Sequence, residues 1–165
     1  MIKKALVIGN NTKKSLSPHI FNFWFSQKKI EGKYSFIKID TRSLSTKVKM
    51  LLKQKDLCGF NITIPHKEKI LKNLPNIDTH VKKIGAANFV FKKNKKWIGT
   101  NTDWIGFLEA INVKIKKPKK NNAFVFGYGG ASKAIIYGLK KSGYKNIYLF
   151  NRTTSKTTPL KKEKK

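Results

Sequence analysis

Apolar residues fall along this chain in short runs, each closed by glycine, asparagine or proline, and the runs alternate between strand and helix periods. Ala5 to Gly9 is a compact apolar run ended by Gly9-Asn10, the form of a buried strand. In SLSPHIFNFWF, Ile20, Phe21, Trp24 and Phe25 recur at helical spacing, with Ser17 as the N-cap and Pro18 at the first helical position. Tyr34 to Ile39 alternates as a strand, and Leu44 to Leu52 is helical with Val48, Leu51 and Leu52 inward. Leu57, Phe60, Ile62 and Ile64 mark the next strand. Pro65 stops it, because proline has no amide to donate to a ladder. A short lysine-rich helix through Ile70 and Leu71 follows. Phe89 to Phe91 and Trp97 to Ile98 then read as a hairpin turned at Lys93-Asn94-Lys95. The polar loop Gly99 to Asp103 leads into a helix from Trp104 to Ile111.

Periodicity is lost in KIKKPKKNN, Lys114 to Asn122, which reads as a surface linker. Beyond it come the strand Ala123 to Phe126, the turn GYGGASKA, a helix Ala134 to Lys141, the strand Asn146 to Phe150, and Asn151-Arg152-Thr153. Strands and helices in alternation give an α/β fold with βαβ connections.

Strand, glycine turn, helix, strand is the setting that a dinucleotide fingerprint requires. Gly127 permits the tight turn, Gly129 and Gly130 let the backbone approach a pyrophosphate, and the helix N-terminus faces its charge; Ser132 stands in place of the usual third glycine. An acidic residue after the second strand would bind an adenine ribose hydroxyl. This chain has Arg152 there, with Lys156 close behind, and a guanidinium can both pair with a 2′-phosphate and stack on adenine. The reading is NADP.

Composition changes this picture little. The 165 residues carry 37 Lys plus Arg against 8 Asp plus Glu, a formal charge of +29. The lysines are spread over the whole length, with no recognition motif and no basic stripe with interleaved aromatics, which argues against a nucleic-acid role. The single cysteine, Cys58, excludes an internal disulfide and reads as a small buried filler. His19, His66 and His80 lack ligand-like spacing, so no metal site is expected. With no membrane-length apolar run and no secretory start, the expected setting is soluble and cytoplasmic.

Candidate chemistry gathers in GFNITIPHK, Gly59 to Lys67, where an abrupt strand end brings Asn, Thr and Lys to a sheet edge. Lys67 taken alone reads as a solvated helix-start residue, and the case for it rests on its company. Ser15 and Ser17 read equally as a cap with a loop hydroxyl or, with the free amides of the helix, as a seat for a carboxylate. Asp103 could cap its helix, and Asn88 could end a loop.

Taken together, SLS (Ser15 to Ser17), GFNITIPHK (Gly59 to Lys67), GAAN (Gly85 to Asn88), GTNTDWIGF (Gly99 to Phe107), GYGGASKA (Gly127 to Ala134) and NRT (Asn151 to Thr153) resemble shikimate dehydrogenase in order and spacing. The resemblance implies NADP-dependent, reversible reduction of 3-dehydroshikimate to shikimate, towards chorismate and the aromatic amino acids. It implies that Ser15 and Ser17 hold the substrate carboxylate, that Thr63, Asn88 and Asp103 hold ring hydroxyls, and that Lys67 and Asp103 are the catalytic pair. Gly127, Gly129, Gly130, Ala131, Asn151, Arg152, Thr153 and Lys156 are the cofactor-binding set that it implies.

The expected organisation is a βαβ shikimate-binding domain over residues 1–103, a connecting helix and linker over 104–122, a partial Rossmann-type NADP-binding unit over 123–156, and a low-complexity tail over 157–165. A homodimer is compatible with this layout. Members of the family that the chain resembles continue through the second half of the nucleotide domain, whereas here TTSKTTPLKKEKK has no strand pattern. Two alternatives therefore stand beside the main expectation: a non-catalytic truncated remnant of the enzyme, and an NAD-using quinate/shikimate dehydrogenase.

Overall fold

The computed structural model describes residues 2–115 and 121–153. The chain divides into two compact units, the first made of Met1–Lys82 and Ala86–Asn101, the second of Lys83–Gly85 and Thr102–Lys165.

The first unit is built on a five-stranded mixed sheet. β1 (Lys3–Gly9) pairs in parallel with β2 (Gly32–Lys38) on one side and β3 (Leu57–Ile62) on the other. Parallel neighbours need crossovers, which α1 (Ser17–Gln27) and α2 (Leu44–Lys53) supply. β4 (Phe89–Lys93) then joins β3 antiparallel, and β5 (Lys96–Thr100) joins β4, giving the order β2-β1-β3-β4-β5. The hairpin turns on Asn94 and Lys95, both in the left-handed region at φ 51° and 62°, the backbone that a two-residue hairpin loop demands.

The core lies on one face of this sheet. Leu6, Ile8, Phe60, Ile62, Val90 and Trp97 point to it by the two-residue strand period, and Leu44, Val48 and Leu51 of α2 cover them, with Val81 of α4 (Thr79–Ile84). Burying a side chain of this size stabilises by roughly 1.5–3 kcal/mol. Cys58 does not join the core as expected. The β1–β3 register shifts at Lys4/Ala5, which pair with Leu57 and Gly59; Cys58 is the extra residue of that bulge, and its side chain is exposed.

The opposite face carries α1, where Phe21 stacks on Tyr34 with ring centroids 4.4 Å apart. The helix is less buried than its apolar stripe suggests. None of its residues is fully buried, and Trp24 is 52% exposed. Helical spacing shows that an apolar face exists; it does not supply a surface to cover it.

The second unit pairs β6 (Asn122–Phe126) with β7 (Asn146–Phe150) in parallel, joined by α6 (Gly130–Lys141). The helix begins at Gly130, four residues before the apolar pattern predicts, because the glycine turn runs directly into it. Val125, Ile136 and Leu139 form the core, with Phe107 of α5 (Asp103–Lys114) against them. The other sheet face presents Phe124, Phe126, Tyr148 and Phe150, stacked across the two strands and exposed, Phe126 by 78%. Among the described residues no helix is long and apolar enough to cross a membrane, and no group of three His, Cys, Asp or Glu could hold a metal ion. Residues 116–120 of the expected linker and the tail 157–165 lie outside the described residues.

Candidate functional site

β1 and β3 run parallel, β4 starts where β3 ends, and β5 ends where β4 starts, so four chain segments meet at one edge of the first sheet. Ser15 and Ser17 follow β1, Thr63 and Lys67 follow β3, Asn88 precedes β4, and Asn101 follows β5. Ligands of α/β proteins collect at such an edge, because loops diverge there and leave backbone groups unpaired.

Gly9 closes β1 with the loops packed tightly upon it. A side chain at this position would collide with Thr63 Cγ2 and press on Thr12 Cγ2. Thr12 opens a single 3-10 turn, and its carbonyl accepts the Ser15 N–H at 3.0 Å. The Ser15 hydroxyl in turn accepts the Ser17 N–H at 3.3 Å. The expected N-cap is corrected by this contact: Leu16 occupies the cap position, Ser17 is the first helical residue, and it is Ser15 that satisfies a free amide. The Thr12 hydroxyl is fully buried and makes no hydrogen bond.

Past β3 the pairing continues for two residues. The Thr63 N–H donates to Ile8 O at 2.9 Å and the Asn10 N–H donates to Ile64 O at 3.1 Å, before the cis peptide Ile64-Pro65. His66 then turns inward. It is fully buried, and its Nε2 lies 2.6 Å from the Ile39 carbonyl, which can only accept, so Nε2 carries the proton. This histidine is an anchor that plants the short helix α3 (His66–Lys69) with Lys67 half-buried beside it.

The Lys67 carbonyl accepts the Ala87 N–H at 2.8 Å, and Asn101 Nδ2 donates to Ala86 O at 2.8 Å, so the Ala86–Asn88 loop is held from two sides. Asn88 is buried and its backbone is fully engaged. Its N–H donates to Thr100 O at 3.1 Å, while its carbonyl accepts from Ile62 N–H at 2.8 Å and from Asn61 Nδ2 at 3.4 Å. The motifs contain Asn61 and Asn101, but their reading gave neither a role, and Tyr34, whose phenol reaches Asn61 from the first half of β2, was passed over. A polar residue inside an otherwise apolar strand, as at Asn61, is the signal that it needs a buried partner such as Tyr34.

Asp103 belongs to the second unit. It is the first residue of α5, one place inside the cap position held by Thr102, where the positive end of the helix favours its carboxylate. The alternative reading, Asp103 at the cap position, is displaced by one residue, to Thr102.

In the second unit Gly127 adopts φ +89° and donates its N–H to Phe150 O at 2.7 Å, drawing the two strand ends together. A cleft of about 450 Å³ opens there, lined by Gly127, Tyr128, Gly129, Asn151, Arg152 and Thr153. Gly129 is the cap residue of α6, and no atom lies within 4 Å of where its side chain would be. Gly130 and Ala131 form the first turn of the helix. Asn151 Nδ2 donates to Thr153 O at 2.6 Å, fixing the bend that carries the exposed Arg152. An open cradle floored by glycines at a helix N-terminus, beside a guanidinium, fits the phosphates of a dinucleotide. Lys156 lies outside the described residues.

The shikimate dehydrogenase substrate binding domain model matches residues 7–90. Shikimate dehydrogenase (NADP(+)) of Caldicellulosiruptor bescii is 42% identical over 161 residues, covering 97% of this chain and 56% of the relative. The crystal structure of shikimate dehydrogenase from Aquifex aeolicus superposes with TM-score 0.88 at 36% identity, over 97% of this chain and 59% of that one. That of shikimate 5-dehydrogenase from Thermus thermophilus in complex with NADP(H) and shikimate gives 0.85 at 29% identity, over 98% and 60%. The chain thus spans a little over half the length of the relatives it matches.

Proposed function

The chain belongs to the shikimate dehydrogenase substrate-binding domain family, and on that premise we propose that it seats shikimate or 3-dehydroshikimate on its first unit and NADP on its second, for NADP-dependent interconversion of the two. The reading keeps the domains expected from the sequence, 1–103 for the substrate, 104–122 as connection and 123–156 for the cofactor, in a cytoplasmic setting. The observation that carries this reading is the convergence of Ser15, Ser17, Thr63, Lys67 and Asn88 on one sheet edge, inside the segment that the family model matches.

The roles follow from the chemistry of each group. The hydroxyls of Ser15 and Ser17, at the free amides of α1, suit a carboxylate. Thr63, Asn88 and Asp103 offer the donors and acceptors that ring hydroxyls need. Bound NADPH would supply the hydride, held at Gly127, Gly129, Gly130, Ala131, Asn151, Arg152 and Thr153. Lys67 stabilises the negative charge that develops on the C3 oxygen and passes it a proton, with Asp103 as its acid–base companion.

The test is shikimate-dependent reduction of NADP by the purified chain, with NAD in parallel and Lys67→Ala as control. A rate that Lys67→Ala lowers by about 10²-fold or more, with shikimate affinity changed far less, is the expected result. A second reading, binding without turnover, is favoured by the exposed aromatic face of a sheet that has two strands among the described residues. It is the outcome if the folded chain binds shikimate and shows no rate.

A further inference from the structure

Asn61 stands where a strand residue should be apolar, on the sheet face opposite the main core, and both ends of its amide are in use. Its Nδ2 donates to the Asn88 carbonyl at 3.4 Å, and its Oδ1 accepts the Tyr34 phenol hydrogen at 2.7 Å. A carbonyl can only accept, so the amide has one orientation, and the phenol adds a donor to the oxygen that this orientation turns towards it. Tyr34 is itself fixed on every side. It is 3% exposed, its ring stacks on Phe21, and its backbone is bound twice by the side chain of Asn22: Asn22 Nδ2 donates to Tyr34 O at 2.9 Å, and the Tyr34 N–H donates to Asn22 Oδ1 at 2.8 Å.

Asn22 and Phe21 lie on α1, whose first residue is Ser17. One unbroken series of contacts therefore runs from the serine-bearing helix through Asn22, Tyr34 and Asn61 to the backbone of Asn88. The two ends of this series are the proposed seats for the carboxylate and for a ring hydroxyl of one small molecule. A rigid ligand with groups at both ends is bound well only if their separation is held before it arrives, since binding free energy is otherwise spent on ordering the site.

We propose that Tyr34 is a positioning residue for shikimate, setting the spacing between the Ser15/Ser17 seat and Asn88 through Asn22 and Asn61 without touching the ligand. The inference rests on the reading of the site given above. Tyr34→Phe keeps the ring on Phe21 and removes only the phenol's hydrogen bond, leaving the Asn61 amide held by its 3.4 Å contact with Asn88 alone. Shikimate affinity of the full chain, measured by titration calorimetry, is expected to fall about fivefold to tenfold, the scale of one lost hydrogen bond. Asn88→Ala weakens binding directly, and in its background Tyr34→Phe is expected to cost less than about twofold, because the group it positions is gone. Equal losses in both backgrounds, or unchanged affinity in a folded Tyr34→Phe chain that shows only a lower melting temperature, would overturn the inference and leave Tyr34 a structural residue. Absence of saturable shikimate binding by the wild-type chain would overturn the site reading itself, and the inference with it.

Discussion

Trp97 Nε1 donates a 2.8 Å hydrogen bond to the carbonyl of Leu52, tying the second strand of the hairpin to the last turn of α2. That carbonyl is one of the four that a helix leaves without an internal partner. The same ring packs on Phe60 at 6.1 Å and takes the Lys92 ammonium over its face at 4.6 Å. Trp97→Phe keeps an aromatic ring in the core and orphans the carbonyl. Urea unfolding of the full chain should show a loss of about 1–3 kcal/mol. A loss of a few tenths would mean that the helix end is solvated as easily as it is paired.

The buried, unpartnered hydroxyl of Thr12 makes an opposite case. Thr12→Val keeps the branched shape and replaces a desolvated polar group with a methyl. The variant should be more stable than the wild type, by about 1 kcal/mol, because nothing is lost on the acceptor side. A destabilised variant would point to a hydrogen bond that forms in solution at this position.

Arg152 lies exposed at the mouth of the glycine cleft and should discriminate between nucleotides. Arg152→Ala is expected to weaken NADP by about tenfold or more, the scale of a lost charge-assisted pair, while NAD changes by less than about threefold. Affinities from tryptophan fluorescence would test this directly. Parallel losses for both cofactors would assign the arginine to the adenine ring and not to the 2′-phosphate.

Burial raises the pKa of the Tyr34 phenol above its ordinary value. A group raised on folding contributes stability that is whole below its unfolded pKa and is lost as pH rises past it, because the unfolded chain ionises first. Urea midpoints of the wild type should therefore fall as pH passes about 10, and the advantage over Tyr34→Phe should shrink there. A constant difference from about pH 8 to about pH 11 would show that the phenol ionises as easily folded as unfolded.

The strands were legible because their cue is local. Ala5 to Gly9, Phe60 to Ile62 and Asn146 to Phe150 are short apolar runs with clear stops, and the polar Lys93-Asn94-Lys95 between two such runs marks a hairpin turn. The glycine turn was legible for the same reason, since Gly127 to Gly130 must serve one backbone path between a strand and a helix. What failed depends on partners far away in sequence. Cys58 sits at a bulge that only its pairing with β1 creates, and the exposure of Trp24 depends on what stands opposite α1. Ser15 displaced Ser17 as the capping group because Leu16 turned one residue early. The contact between Tyr34 and Asn61 joins residues 27 apart, and no periodicity reports it.

β2 is an outer strand of its sheet, and at Tyr34 its outward N–H and C=O are both taken by the amide of Asn22. A primary amide presents one donor and one acceptor side by side, as a neighbouring strand would, so a single helix side chain imitates the next rung of the ladder and ends it. An open strand edge is a template for aggregation. By plugging the middle of this one, Asn22 denies a passing chain a continuous row of backbone groups on which to grow.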